Sequence, residues 1–195
     1  MTGHRSGDCA LVKGFHVYRR HVEAPLKQLH DQIEDATALL LRTAGGFDDE
    51  DVRQPSLLPG WTRAHVLTHL ARGADALRDL LDGGPGYASQ EARNEAIEAG
   101  AGRGAAELAE DVRTSAAAWR EAVLRQPDEG WTRMVTPPLG IQPFPAGQLL
   151  LRRLVEVELH HVDLGAGYRP SDWPVTFNQL ELPEPMRGQR ADRIV

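Results

Sequence analysis

An all-α four-helix bundle is the fold this sequence predicts, and three observations predict it. Four long segments carry apolar residues at helical spacing, each is bounded by glycine, proline or a capping residue, and strand-like alternation is nearly absent. The chain has 195 residues, 41% of them hydrophobic and 26% charged, enough for one domain with a core of its own.

The first helix is expected from about Gly14 to Ala44, with Val17, Val22, Leu26, Leu29, Ile33, Leu40 and Leu41 in a loose helical repeat. Pro25 either kinks it or marks its true start, since proline is tolerated in a first turn. Gly45 and Gly46 close it, glycine being the residue that ends a helix in the left-handed conformation. A loop through Pro55, Pro59 and Gly60 follows. The second helix starts near Thr62, a suitable N-cap, and stops at Gly83, Gly84 and Pro85. A short helix over Ser89 to Ala99, with Ser89 as its cap, precedes the third, which spans Ala105 to Arg125 and is closed by Pro127. The fourth runs from about Ala146 to Leu164, before Gly165 and Gly167. Trp131 to Val135 and Gly140 to Phe144 are candidates for strands, but the prolines between them argue for an ordered loop. From Arg169 onward, Pro170, Pro174, Pro183 and Pro185 accompany too few apolar residues to build a core, so a tail is expected, extended along the bundle or disordered. The organisation that follows is a flexible N-terminus at 1–13, a bundle at 14–168 and a tail at 169–195.

Composition narrows the function. The formal net charge is -6 and no Lys/Arg cluster forms the basic footprint a nucleic-acid partner needs. No apolar run approaches the roughly 18 residues of a membrane-spanning helix, and the first residues lack a signal peptide's apolar stretch. Cys9 is the single cysteine, so the fold does not depend on an internal disulfide. A cytoplasmic monomer is expected.

Histidine placement carries the chemistry. In RRLVEVELHHVDLG, Glu156 and His160 lie four residues apart, which stacks both side chains on one face of a helix, close enough to ligate one ion. Arg152, Arg153 and Asp163 share that polar stripe, while Leu151, Leu154, Val155, Val157, Leu159, Val162 and Leu164 fill most of the remainder. A solvated face would look the same on a helical wheel. In GWTRAHVLTHLARGADALRDLL, the apolar face is Val66, Leu70, Ala74, Leu77 and Leu81; His69 flanks it, and His65 points further round toward Thr68 and Arg72. His69 is therefore the histidine expected to enter the interior, as ligand or as hydrogen-bonded core residue. With Glu156 and His160 it would make a His₂-carboxylate set that leaves coordination positions open. Such donors accept several divalent first-row metals, zinc among them.

Three segments in this order, LPGWTRAHVLTHLARGADALRDLL, YASQEARNEAIEAG and RRLVEVELHHVDLGAG, resemble the N-terminal metal-binding domain of the mycothiol-dependent maleylpyruvate isomerases, within the superfamily of DinB-like four-helix bundles. The resemblance covers about Phe15 to Trp173. It implies metal ligation by His69, Glu156 and His160 and an active-site role for Arg93, which would hold a carboxylate of a dicarboxylate substrate; the simpler role for Arg93 is a surface charge paired with Glu91 or Glu95. It implies two cofactors, a divalent metal such as Zn²⁺ and mycothiol, the small thiol of actinobacteria. The implied reaction adds the thiolate to the cis double bond of maleylpyruvate, allows rotation, and expels the thiol to leave the trans isomer. In the family a C-terminal α/β domain follows and carries another arginine needed for catalysis; here the family's character is lost after Asp172-Trp173-Pro174, so that domain is expected to be absent or truncated and the tail at 169–195 to be its remnant. A mycothiol S-transferase acting on another electrophile, a metal-binding remnant without catalysis and a helical interaction module are the alternatives.

Overall fold

Val66, Leu70, Ala74 and Leu81 recur at intervals of four, four and seven residues, and that spacing winds them onto one side of a helix, where all are buried. The same logic organises the computed structural model, which describes residues 9–137 and 142–194, with side chains from Leu26 onward. In chain order the helices are α1 (Cys9–Gly45), α2 (Asp49–Arg53), α3 (Arg63–Asp82), α4 (Gln90–Ala101) and α5 (Ala105–Arg125). A 3₁₀ turn (Asp128–Thr132), strands β1 (Met134–Val135) and β2 (Phe144–Pro145), and α6 (Gln148–Asp163) follow. A second 3₁₀ turn (Pro170–Asp172), α7 (Val175–Asn178) and α8 (Met186–Ala191) complete it. α1, α3, α5 and α6 form the bundle: α3 packs on α5 and α6, α1 packs on α6 and α5, and α4 lies along α3. No helix among the described residues is long and apolar enough to cross a membrane.

Local chemistry fixes the ends of these helices. Ser89 caps α4 by accepting from the Ala92 N–H at 3.1 Å. Thr62 stands at the N-cap of α3, and both its N–H (3.2 Å) and its hydroxyl (2.7 Å) meet His65 Nδ1. α3 ends at Gly83, whose φ of 96° is the left-handed region that glycine enters without a Cβ penalty. Gly45 and Gly46 do end α1, but neither adopts a positive φ. At the far end of α6, Arg63 donates through Nε to the Leu164 carbonyl (2.9 Å) and through Nη2 to that of Gly165 (3.1 Å), and the Leu57 N–H donates to Asp163 O (2.8 Å). These donors occupy carbonyls that the helix end leaves without intrahelical partners, and they pin the turn that carries the site.

α6 is buried or half-buried along its whole length, with Leu149, Leu150, Leu154, Val155, Val157, Leu159 and Val162 in the core, as befits a central helix. Arg153 departs from the expected polar stripe: it is fully buried and donates from Nη1 to the Leu70 carbonyl of α3 at 3.0 Å. Thr68, expected on the polar side of α3, is buried too, because α4 covers that side.

Three further expectations are corrected. The loop after α1 contains α2, started by Asp48, whose Oδ1 accepts from the N–H groups of Glu50 and Asp51 at 2.9 Å each. The segment expected as an ordered loop pairs as a two-residue antiparallel ladder, Val135 opposite Phe144, although Gly140 and Ile141 of the second candidate strand lie outside the described residues. The segment from Arg169 is neither extended nor disordered: it forms α7 and α8, and buries Trp173, Phe177, Leu182 and Met186 with the bundle core. Its apolar residues were too few for a separate core, but each fills a gap in an existing one. Of the N-terminal residues expected to be flexible, 1–8 lie outside the described residues, and α1 begins at Cys9 and continues through Pro25.

Candidate metal centre

α3 and α6 cross so that one imidazole from α3 meets two groups from α6. His69 Nε2 lies 2.9 Å from Glu156 Oε2 and 3.0 Å from His160 Nε2, and His160 Nε2 lies 3.3 Å from the same Glu156 oxygen. The four-residue spacing of Glu156 and His160 puts them one turn apart on α6, as helix geometry demands. The two imidazoles meet edge to face, with centroids 4.5 Å apart. Trp61 walls the His69 ring at 5.6 Å.

Electrostatics around the trio are set by burial and by the trio itself. Burial lowers the His69 pKa, against the opposing hydrogen bond to Glu156. Burial also opposes charge on Glu156, but the hydrogen bonds from His160 and His69 outweigh it and hold the carboxyl well below its ordinary value. On His160, burial is outweighed by Asp163 and Glu156, which raise it to about 9. His160 Nδ1 donates to Asp163 Oδ2 at 2.8 Å, and Arg193 grips that carboxylate through Nε to Oδ1 (3.1 Å) and Nη2 to Oδ2 (2.7 Å).

Could these residues hold a metal ion? Two imidazole nitrogens and a carboxylate oxygen face one point, so a shared proton or a cation is needed between them. A tetrahedral zinc ion with bonds of about 2.0–2.1 Å sets its ligands roughly 3.3 Å apart. Donor separations of 2.9, 3.0 and 3.3 Å are close to that demand. Among the described residues this is the group of His, Cys, Asp and Glu side chains that could hold an ion. The donor set fits, and it leaves a coordination position open.

The trio lines a cavity of about 310 Å³, through His69 and Glu156. Arg93, Arg152 and Tyr87 line it as well, with Leu77 and Met186 among its apolar walls. Arg93, delivered by α4, donates from Nη2 to His69 Nδ1 (3.2 Å) and from Nη1 to Asn94 Oδ1 (3.3 Å), and pairs with neither Glu91 nor Glu95. Arg152 lies over the Phe144 ring at 4.1 Å, and burial lowers its pKa. The Tyr87 hydroxyl is buried without a partner among the described residues, and burial pushes its pKa up to about 12.

A family model described as the mycothiol maleylpyruvate isomerase N-terminal domain matches residues 33–165. The chain belongs to this family. Among solved structures it is similar to the mycothiol-dependent maleylpyruvate isomerase, at 31% identity and a TM-score of 0.75 over 78% of this chain. It is equally similar to a histidine-to-alanine mutant of that isomerase, at 31% identity and a TM-score of 0.74. The chain spans 66% of the length of these solved isomerases. No curated protein matches it.

Within this family fold, the structure brings together all four site residues singled out from the sequence: His69, Glu156 and His160 in the trio, and Arg93 against His69. The neighbouring histidines stay out. His65 serves the N-terminus of α3, and His161 turns away, stacking on Tyr168 at 3.9 Å with Nε2 2.8 Å from the Thr43 hydroxyl. The sequence reading assigned no role to Asp163, Tyr87 or Arg193. For Asp163 the three-residue spacing from His160 was a usable signal. For Arg193, 30 residues further on, there was none.

Proposed function

We propose that the protein is a metal-dependent enzyme that uses mycothiol to convert a cis-unsaturated dicarboxylate of the maleylpyruvate type into its trans isomer. The observation that carries this reading is the convergence of the His69, Glu156 and His160 donor atoms at the wall of a cavity that also holds Arg93 and Arg152. A divalent ion such as zinc on these ligands would lower the pKa of a thiol, so that thiolate is present near neutral pH.

The chain's own residues do the rest. An Arg93 N–H facing His69 Nδ1 requires the ring's proton on Nε2. Once Nε2 serves as a ligand, that proton belongs on Nδ1, which no longer accepts from Arg93. The guanidinium is then free to take a substrate carboxylate in a planar two-point contact. Among the described residues no carboxylate lies within ion-pair distance of Arg152 and its Nε has no partner, which supports it as the holder of the second carboxylate. Addition of the thiolate to the double bond leaves a carbanion delocalised onto the neighbouring keto oxygen. The Tyr87 hydroxyl, kept protonated by burial, suits a hydrogen bond to that oxygen. Rotation about the new single bond and expulsion of the thiolate restore the double bond in the trans form, with no net change in protons or electrons.

The test is elemental analysis of the purified protein, calorimetric titration with mycothiol, and NMR analysis of the product. One equivalent of metal, thiol binding that disappears with the metal, and a trans product with thiol regenerated are expected. A stable thioether product would instead assign a mycothiol S-transferase. Protein without metal would leave the fold alone in common with the isomerases.

A further inference from the structure

We propose that Arg193, from the C-terminal segment, is a positioning residue of the metal centre, acting through Asp163 to fix His160 as a ligand. The proposal rests on reading His69, Glu156 and His160 as metal ligands. Asp163 is nearly inaccessible, with its side chain 3% exposed, and it is bonded on both carboxylate oxygens. Arg193 supplies a fork, Nε to Oδ1 and Nη2 to Oδ2, which sets the plane of the carboxylate as a single N–H would not. Oδ2 is left aimed at His160 Nδ1, 2.8 Å away. An acceptor at Nδ1 keeps a proton there and leaves the Nε2 lone pair for a metal, the arrangement that outer carboxylates impose on histidine ligands.

The burial of Asp163 explains why a cation is needed. A carboxylate held out of water without a countercharge either takes up a proton or moves, and in either case its hold on Nδ1–H weakens. No other Lys or Arg contacts this carboxylate among the described residues.

The segment that delivers Arg193 is itself anchored to the bundle. Arg190, one turn earlier, donates to the carbonyls of Phe177 (2.7 Å) and Leu180 (3.0 Å), and Phe177 and Met186 are buried in the core. Pro185, Met186 and Gln189 line the same cavity as His69 and Glu156. One short stretch of chain therefore lines the cavity and braces a ligand from behind. A packing role alone does not require a forked contact to the partner of His160.

The experiment is zinc affinity by competition titration, and the visible absorption of the cobalt-substituted protein, for the wild type, Arg193→Gln, Arg193→Lys, Asp163→Asn and the Arg193→Gln/Asp163→Asn double variant. Loss of an outer partner of this kind weakens a metal roughly 10–100-fold. About tenfold weaker zinc and an altered cobalt spectrum are expected for Arg193→Gln, with only partial recovery in Arg193→Lys, which restores charge without the fork. In the Asp163→Asn background, Arg193→Gln should add little. Wild-type affinity and spectrum in Arg193→Gln, or full additivity in the double variant, would overturn the proposal. A second readout is the ¹⁵N spectrum of His160 in the metal-free protein, recorded on the high-pH plateau of its own titration, where the ring is neutral. The Nδ1–H tautomer is expected in the wild type, and a mixture in Arg193→Gln. An unchanged tautomer would again overturn the proposal. A wild type that binds no metal would overturn the ligand reading itself, and the tautomer would still decide whether Arg193 sets His160.

Discussion

Adjacent histidines in this chain do different work, and the difference lies in which helix face each occupies. His69 and His160 converge with Glu156, whereas His65 and His161 point elsewhere. His69→Ala, Glu156→Ala and His160→Ala are each expected to abolish stoichiometric metal, while His65→Ala and His161→Ala retain it; metal content by mass spectrometry checks this, and full metal in His160→Ala would refute the ligand set. His161 has a separate signature. Burial lowers its pKa to about 4, against roughly 6.5 in an unfolded chain. Above pH 6.5 both states are neutral and the difference contributes nothing against folding. As the pH falls from 6.5 toward 4, the unfolded chain takes up a proton that the folded one refuses, and stability is lost by up to roughly 3 kcal/mol. His161→Gln should remove that part of the acid sensitivity, seen as a flatter dependence of urea stability on pH than in the wild type. The four-residue spacing of Glu156 and His160 offered this group as a candidate, but a solvated face would space them alike, and the family resemblance was needed to single it out with His69. Tyr87 and Arg193 were not legible, because their importance comes from the cavity and from a contact across 30 residues rather than from any local pattern.

At the scale of elements, the helices were legible wherever apolar spacing and an end signal agreed, as at Thr62, Gly83 and Ser89. What the pattern could not convey is how closely two helices approach. α4 lies against α3 at Gly100, where an added Cβ would come within 2.4 Å of Thr68 Cγ2 and 2.8 Å of Arg103 Nη2. Thr68 is fully buried and β-branched, so it cannot swing aside. Gly100→Ala must therefore push α4 outward, and overpacking of this kind costs roughly 1–3 kcal/mol. α4 also carries Arg93, so the displacement should loosen its contact with His69. Thr68→Ser, which removes the methyl group in the way, should recover most of the loss; chemical denaturation of the single and double variants measures both. A Gly100→Ala protein as stable as the wild type would show that α3 and α4 are not in tight contact. The same limit hid α2 and the β1–β2 pair, whose few residues carry no period to detect.

At the scale of the whole molecule, the C-terminal segment decides whether the chain behaves as a bundle with an appendage or as one cooperative unit. Its apolar residues follow no helical repeat and are separated by prolines, so the sequence alone allowed only a tail. In the structure Phe177 is completely buried, meets Trp173 edge to face at 5.3 Å, and is covered by the Arg190 guanidinium at 5.6 Å. Trp173 in turn donates from Nε1 to the Glu158 carbonyl of α6 (3.3 Å), and Tyr168 donates to the Glu158 carboxylate (2.7 Å). The segment is thus tied to the helix that carries two of the three candidate ligands. Phe177→Ala should cost about 3–5 kcal/mol, the range for emptying a buried aromatic site. Against a total of roughly 5–15 kcal/mol for a domain, that is a large fraction. The loss should appear as a lower denaturation midpoint of the bundle itself, followed by far-ultraviolet circular dichroism. Tryptophan fluorescence should give a coincident curve, since one cooperative transition moves every probe together. If the segment unfolded separately, Phe177→Ala would shift an early fluorescence change and leave the helical transition where it was. A single shifted transition would mean that the metal centre and its C-terminal brace are held by one folding equilibrium, so that whatever loosens the segment also loosens the grip of Arg193 on Asp163.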